Sequence, residues 1–304
     1  MKLNCPNINC KLSSPLSPKT SNIVRKGFFF RSSDSRWLRR YFCNACLKTF
    51  SRAGLSATRY QKVRRFTPLL DQLINSGVSQ RRSARILKVD RKTVVRRLRF
   101  LAAQARAEQE EDRQALQSIP LQAIEFDDLE TSEHTKCKPL SVSLAVEPKS
   151  RKILGFQVSQ MPAKGRLSKI SVRKYGFRKD ERKKGWNKLL SNLKPILAPT
   201  ATITTDENPH YTARIKAHFP RCTHVQIPGG RGALTGQGEL RKKRFDPMFA
   251  LNHTCAMLRA NMNRLFRKTW CTTKTRQGLI DHLSLYVRYH NQVLTQLCPL
   301  KGAS

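Results

Sequence analysis

Two short acidic stretches carry the residue types that could do chemistry in this chain. In Ala123-Ile124-Glu125-Phe126-Asp127-Asp128-Leu129-Glu130-Thr131 an apolar alternating run ends in acids. In Ala201-Thr202-Ile203-Thr204-Thr205-Asp206-Glu207 a β-branched run delivers another acid at its C-terminal end. Five of the chain's 20 carboxylates lie in the first stretch or at its edge. Two strands that each end in Asp can bring Asp127 and Asp206 to one pair of divalent cations roughly 3.5–4 Å apart, which would clamp the attacking and leaving oxygens of a phosphodiester. Magnesium, or manganese in its place, suits such a site, because it needs few carboxylates beside water and substrate oxygens. Either acid alone would more simply close a strand; the two in this order point to metal-assisted phosphoryl chemistry.

A third ligand is usual on a later helix, and no clean acid stands there. Phe249-Ala250-Leu251-Asn252-His253-Thr254 opens a helix running through Leu258, Arg259, Met262, Leu265 and Phe266. Asn252 offers a carbonyl oxygen, and Arg259 shares its face about 10.5 Å further along the axis. His253 offers a nitrogen, a poorer donor for magnesium. Glu239 is a rival from the Gly-rich segment Gly229–Gly238, which could equally carry phosphates among Arg231, Arg241, Lys242, Lys243 and Arg244.

The elements that must position these acids follow from periodicity. Leu140 to Val146 and Lys152 to Val158 read as a strand pair after the first acidic strand, joined by a short hairpin connection. Lys179 to Leu197 reads as an amphipathic helix with Trp186, Leu189, Leu190 and Leu193 on one face. Pro209 opens a helix over Tyr211 to Phe219, and Thr223 to Ile227 is a fifth strand. Asp281 to Leu297, with His282, Tyr286, Tyr289, His290 and Asn291, reads as a packing helix whose histidines are structural.

A second constellation lies near the N-terminus. Cys5 and Cys10, then Cys43 and Cys46, form two close pairs separated by about thirty residues, the layout of a four-thiolate zinc ribbon. The strand-like segments between them carry cations, and Arg36, Arg39, Arg40 and Lys48 are placed to meet phosphates. The remaining five of the nine cysteines are scattered, which fits buried thiols in a reducing compartment rather than a disulfide framework.

Between the two lies a helix-turn-helix pattern. Leu69, Leu70, Leu73 and Ile74 share a face, and Gly77 suits a left-handed cap. Ser79 caps a second helix with Ala84, Ile86 and Leu87 inward, and Asp90 caps a third through Val94, Leu98 and Leu101. Arg91, Lys92, Thr93 and Arg96, at the exposed N-terminal end of the third helix, are the groove-facing residues, with Arg97 and Arg99 toward backbone phosphates. The acidic run Glu108-Gln109-Glu110-Glu111-Asp112 falls on a solvated helix.

The chain has 304 residues, with 59 Lys and Arg against 20 Asp and Glu, a net charge of +39. So basic a surface repels itself unless a polyanion is near, and nucleic acid is the usual one. No apolar run approaches a membrane span and no apolar segment follows Met1-Lys2-Leu3, so neither a membrane partner nor a signal peptide is expected.

The chain resembles the bacterial insertion-sequence transposases, in particular the insertion-sequence-one-like group. The resemblance rests on the cysteine pairs, the helix-turn-helix, Phe126-Asp127-Asp128-Leu129-Glu130-Thr131, Met161-Pro162-Ala163-Lys164-Gly165, Thr205-Asp206, Leu258-Arg259, and Arg264-Leu265-Phe266-Arg267-Lys268-Thr269-Trp270-Cys271-Thr272-Thr273-Lys274. It implies an RNase H-like fold with an Asp-Asp-Glu triad, in which water and then a DNA 3′-hydroxyl attack phosphodiesters at the element's ends. By position the triad falls on Asp127, Asp206 and Asn252, with Arg259 as the basic residue two turns on; Asn stands where the family has Glu. Implied with it are magnesium or manganese, zinc, double-stranded DNA (element ends and target), a homo-oligomer on DNA, and a cytoplasmic, nucleoid-associated location. The expected architecture is a multidomain α+β chain: a zinc ribbon over 1–60, a helix-turn-helix over 61–118, and an RNase H-like α/β catalytic domain with C-terminal helices over 119–304. A DNA-binding protein that has lost catalysis is the alternative, and a nuclease without a joining step a third.

Overall fold

The computed structural model describes residues 3–13, 22–32, 35–58, 61–228, 246–266 and 271–295. The Gly-rich segment with Glu239, the cations 241–244, residues 267–270, Leu297 and Cys298 lie outside them. The chain divides into two units, Met1–Leu69 and Leu70–Ser304.

In the first unit β1 (Ile23–Arg31), β2 (Arg36–Cys43) and β3 (Thr49–Phe50) form an antiparallel sheet in that order. A bulge interrupts β1 between Arg25 and Phe28, where Gly27 takes φ +64°. A one-turn helix, α1 (Arg52–Leu55), follows, capped by Ser51. Among the described residues the apolar cluster here is small: Leu12, Ile23 and Phe50 around the cysteines. So little burial cannot offset the ordering entropy of the unit without a further cross-link.

The second unit opens with three helices, α2 (Thr67–Asn75), α3 (Gln80–Ile86) and α4 (Arg91–Leu116). Their punctuation is as the sequence predicts. Gly77 has φ +74°, and an added Cβ there would also stand 3.0 Å from the Phe266 ring. Ser79 accepts from the Arg82 amide at 3.2 Å, and Asp90 from the Lys92 amide at 2.6 Å. Two expectations change. Ile86 is exposed, and Ser83 and Ala84 make the inner face of α3. Arg97 is buried, because it lies with Val94, Leu98 and Leu101 on the inner stripe of α4 and cannot reach a phosphate from there. The acidic run sits far along the same 26-residue α4.

The sheet is five-stranded and mixed. It comprises β4 (Leu121–Ser132), β5 (Pro139–Val146), β6 (Ile153–Gln160), β7 (Leu197–Asp206) and β8 (Thr223–Ile227), in the order β6-β5-β4-β7-β8. β4, β5 and β6 are antiparallel neighbours; β7 runs parallel to β4 and β8 parallel to β7. Parallel neighbours need crossovers, which α5 (Leu167–Tyr175) and α6 (Arg182–Leu193) make before β7, and α7 (Pro209–His218) before β8. One face carries Ile124, Phe126 and Ile203 under Trp186, Leu189, Tyr211 and Ile215 of α6 and α7. The other carries Leu129, Val142 and Leu144 under α8 (Phe249–Asn261) and α9 (Arg276–Tyr289). Among the described residues no helix is long and apolar enough to cross a membrane.

α9 joins the opening helices to the sheet. Arg106 pairs with Asp281 at 3.0 Å, Gln109 donates to the Ser284 carbonyl at 2.7 Å, and Arg288 pairs with Asp71 at 2.5 Å. His290 bonds the Arg151 carbonyl at 2.8 Å, and the Asn291 side chain bonds both backbone groups of Ile153 at 2.9 Å. His282 is buried with Nε2 3.1 Å from the Ile74 carbonyl, and burial pushes its pKa from 6.5 down to about 3. It is therefore neutral when folded. Its contribution is fully present above pH 6.5 and is lost as pH falls from there toward 3, on the order of a few kcal/mol. Urea unfolding at stepped pH should show a shallower acid limb for His282→Gln, by one proton's worth of slope; an unchanged limb would refute the assignment.

Candidate active site and zinc centre

The acids of β4 are sorted by its two-residue period. Phe126 and Asp128 face α6 and α7, whereas Glu125, Asp127 and Leu129 face α8 and α9. Asp127 is not at the strand's end, as expected, but at mid-strand, because antiparallel pairing with β5 carries β4 on to Ser132. Asp206 is the last residue of β7. The parallel register pairs Phe126 with Thr205, so the next position along sets Asp127 beside Asp206 on the same face.

Each carboxylate is held. Asp127 Oδ1 accepts the Asp128 amide at 2.6 Å and the Tyr211 hydroxyl at 3.4 Å. Tyr211 is buried edge-on against Phe126 and Trp186, with centroids 5.1 Å away in each case, so its hydroxyl has little freedom. Burial raises the Tyr211 pKa further above its ordinary value, and the neighbouring acids add to this, so it remains a donor. Asp206 Oδ1 accepts the Asn208 amide at 3.1 Å, and Asn208 in turn caps α7. Burial, and after it the charges of Asp206 and Asp128, push Asp127 up to about 7. Asp128 is pushed up by burial as well and receives the Trp186 indole N–H at 3.0 Å on both oxygens.

On α8, Cys255 feels the charge of Asp127; burial pushes this thiol up to about 12, with Arg259 and Asp127 acting on it in opposite directions. Asn252 lies one turn before Cys255, exposed, and donates Nδ2 to Asp246 Oδ2 at 2.7 Å. Arg259 lies one turn after Cys255, partly buried. His253 packs on the Phe249 ring at 5.5 Å, and its charge is felt by His290. Glu125 is buried, accepts the Leu251 amide at 2.6 Å, and is pushed up by burial and by the charge of Asp246. The structure thus brings Asp127 and Asp206 together and sets Asn252 beside Asp246. Sequence reasoning missed Tyr211, Asp246, Trp186 and Cys255. Only the alternation of Glu125 with Asp127 was there to be read.

The thiolate constellation comes together whole. The sulfurs of Cys5, Cys10, Cys43 and Cys46 lie within 4.8 Å of one another, with Cys5 to Cys46 at 3.4 Å and Cys10 to Cys43 at 3.7 Å. Bonds of about 2.3 Å to a tetrahedral zinc require sulfurs about 3.8 Å apart, which these positions fit. Both knuckles are hydrogen-bonded turns: Cys10 N–H to the Asn7 carbonyl at 2.9 Å, and Leu47 N–H to the Cys43 carbonyl at 2.8 Å with Leu47 at φ +59°. Burial pushes Cys5 up to about 12, whereas the Lys48 amide brings Cys46 down to about 6. This cluster could bind zinc, and a bound dication holds all four sulfurs deprotonated. Among the described residues it is the one group of three or more His, Cys, Asp and Glu side chains with metal-binding spacing.

The end of α4 expected to enter a groove is open. Arg91, Lys92 and Arg96 are exposed and Thr93 is partly exposed. Searched against models of known protein families the chain matches none, and no curated protein matches it significantly.

Proposed function

We propose that this protein is a DNA transposase that binds the ends of its own element and performs phosphodiester cleavage and strand transfer at Asp127 and Asp206. One observation carries the reading: two half-buried carboxylates at adjacent register positions on parallel strands, one of them pushed up to about 7. Such a pair is costly alone and is relieved by a divalent cation, and hard carboxylate oxygens suit magnesium or manganese. The strand order, with three antiparallel strands and two more parallel to the first, supports an RNase H-like catalytic domain. When bound, the ions would polarise the phosphoryl oxygens and lower the pKa of an attacking water or hydroxyl. Asp127, fixed by Tyr211 and its own strand, and Asp206, fixed by Asn208, hold the ligand oxygens in place. Asn252 commits its nitrogen to Asp246, and its carbonyl oxygen would be the donor left for the remaining ligand role. In each step one P–O bond forms as another breaks, so strand transfer consumes no further reactant.

The test is incubation of the purified protein, with magnesium or manganese, with labelled DNA spanning the flanks of its reading frame. Nicked and joined products are expected, and neither should form with Asp127→Ala or Asp206→Ala. If both variants cleave and join like the wild type, the assignment fails. A second reading, end binding without catalysis, is favoured by the exposed position of Asn252 and its bond to Asp246; binding without strand chemistry at any metal concentration would select it.

For the duplex, α3 and α4 act as the helix-turn-helix, with Arg91, Lys92, Thr93 and Arg96 at the groove and Arg259 toward the backbone. Replacing Arg91 and Arg96 by Ala should weaken duplex binding about 5- to 150-fold for each of the two that reads a base, and flatten its salt dependence. Arg97→Ala should instead lower the melting temperature and leave the salt slope alone, which calorimetry and a salt titration distinguish.

A further inference from the structure

The ribbon of β1 and β2 has a face that strand chemistry does not use. Phe28, Phe30 and Trp37 are large aromatics exposed to 53%, 51% and 69%. The antiparallel register pairs Phe30 with Trp37 and Phe28 with Arg39, and Tyr41 follows on the same side. The ring geometry agrees. The Phe30 and Trp37 rings are 5.5 Å apart, the Arg39 guanidinium lies 4.4 Å over Phe28, and Tyr41 stacks on Phe50 at 5.9 Å. The result is a column of rings and a guanidinium about 13 Å long from Trp37 to Tyr41.

We propose that this column is a stacking platform for unpaired nucleotides, distinct from the helices that take duplex. Exposed flat rings on a chain of net charge +39 match the two parts of a single strand, base faces and phosphates. A duplex does not fit, because its base faces are already covered by their neighbours and only groove edges are offered. Aromatics and arginines also suit a protein partner, but Arg39 over Phe28 and Arg52 5.9 Å from Tyr41, on a chain of net charge +39, favour a polyanion. The column has room for about three bases. The inference requires only that the ribbon be folded and does not rest on the Asp pair. Its failure is therefore visible separately from that of the transposase reading.

The test uses the full, zinc-loaded chain and the fluorescence anisotropy of dye-labelled oligothymidine and of a duplex of the same length. Trp37→Ala should weaken oligothymidine binding about 5- to 100-fold and duplex binding less than about twofold. Trp37→Phe, which keeps a flat ring, should retain most of the single-strand affinity. At so exposed a position the Ala variant is expected to fold, and its zinc content and melting curve check this. The proposal is overturned if Trp37→Ala and Phe28→Ala both leave oligothymidine binding unchanged, or if they weaken single strand and duplex equally. It is also overturned if Trp37→Ala instead dissolves a dimer in sedimentation with single-strand affinity intact, because the face would then belong to a second copy of this chain.

Discussion

Asp127→Asn should abolish strand transfer, by at least about 1,000-fold, while making the protein more stable. The two effects have opposite signs for one reason. The Asp127 carboxyl stands at about 7 in the fold, against an ordinary value of 3.8, first because it is buried and then because Asp206 and Asp128 repel its charge. The folded state therefore holds this proton more tightly than the unfolded state. Stability from this residue is present below the ordinary value and is lost as pH rises from about 4 to about 7, on the order of a few kcal/mol. The amide has no such proton to lose and keeps most of the shape. At pH 8, without divalent cations, the variant should melt higher than the wild type, by roughly 2–4 °C for each kcal/mol. Added magnesium should narrow that gap from the wild-type side, since a ligand bound only by the folded state stabilises it. Melting curves with and without magnesium, run beside the joining assay, check both halves. A variant that is inactive and less stable at every pH would mean that Asp127 is a packing residue.

The second large effect belongs to zinc. Among the described residues of the unit Met1–Leu69, only a few apolar side chains pack around the cysteines. Four thiolates around a zinc supply apparent binding energy of about 10–16 kcal/mol, more than so small a core can offer. Cys43→Ser removes the most deeply buried sulfur. It should cut the zinc content from one per chain to near none and leave β1 and β2 open to protease. Residues Leu70–Ser304, which carry their own core, should keep their melting transition. A metal-free variant whose ribbon resists protease as the wild type does would contradict this account. The prediction also bears on the stacking platform, because Trp37 and Phe28 keep their register only while the ribbon stands.

How much of this was legible in the sequence varies with the range of the interaction. The cysteine pairs were readable because metal spacing is a local pattern, and the caps Ser79, Asp90 and Gly77 because capping is settled within a few residues. Period-two alternation set Glu125 and Asp127 on one face. What set Asp206 beside Asp127 was the register of two strands some 80 residues apart, which alternation cannot supply. Arg97 read as a phosphate ligand because its charge outweighed its place on the inner stripe of α4. Asp246 was missed although it lies only six residues before Asn252, because it sits in the turn ahead of the helix rather than in the apolar pattern that marks α8. Tyr211 reaches Asp127 because α7 begins directly after β7, at Asn208-Pro209. Local chemistry could be read directly; pairings across the fold needed the fold.

The most direct measurement of the central claim is a manganese titration of zinc-loaded protein with end DNA present, followed by electron paramagnetic resonance. Zinc occupies the thiolates, so added manganese reports on the carboxylates. The account predicts tightly held manganese in the wild type and its loss in both Asp127→Asn and Asp206→Asn. Manganese held equally well by the wild type and both variants would contradict it.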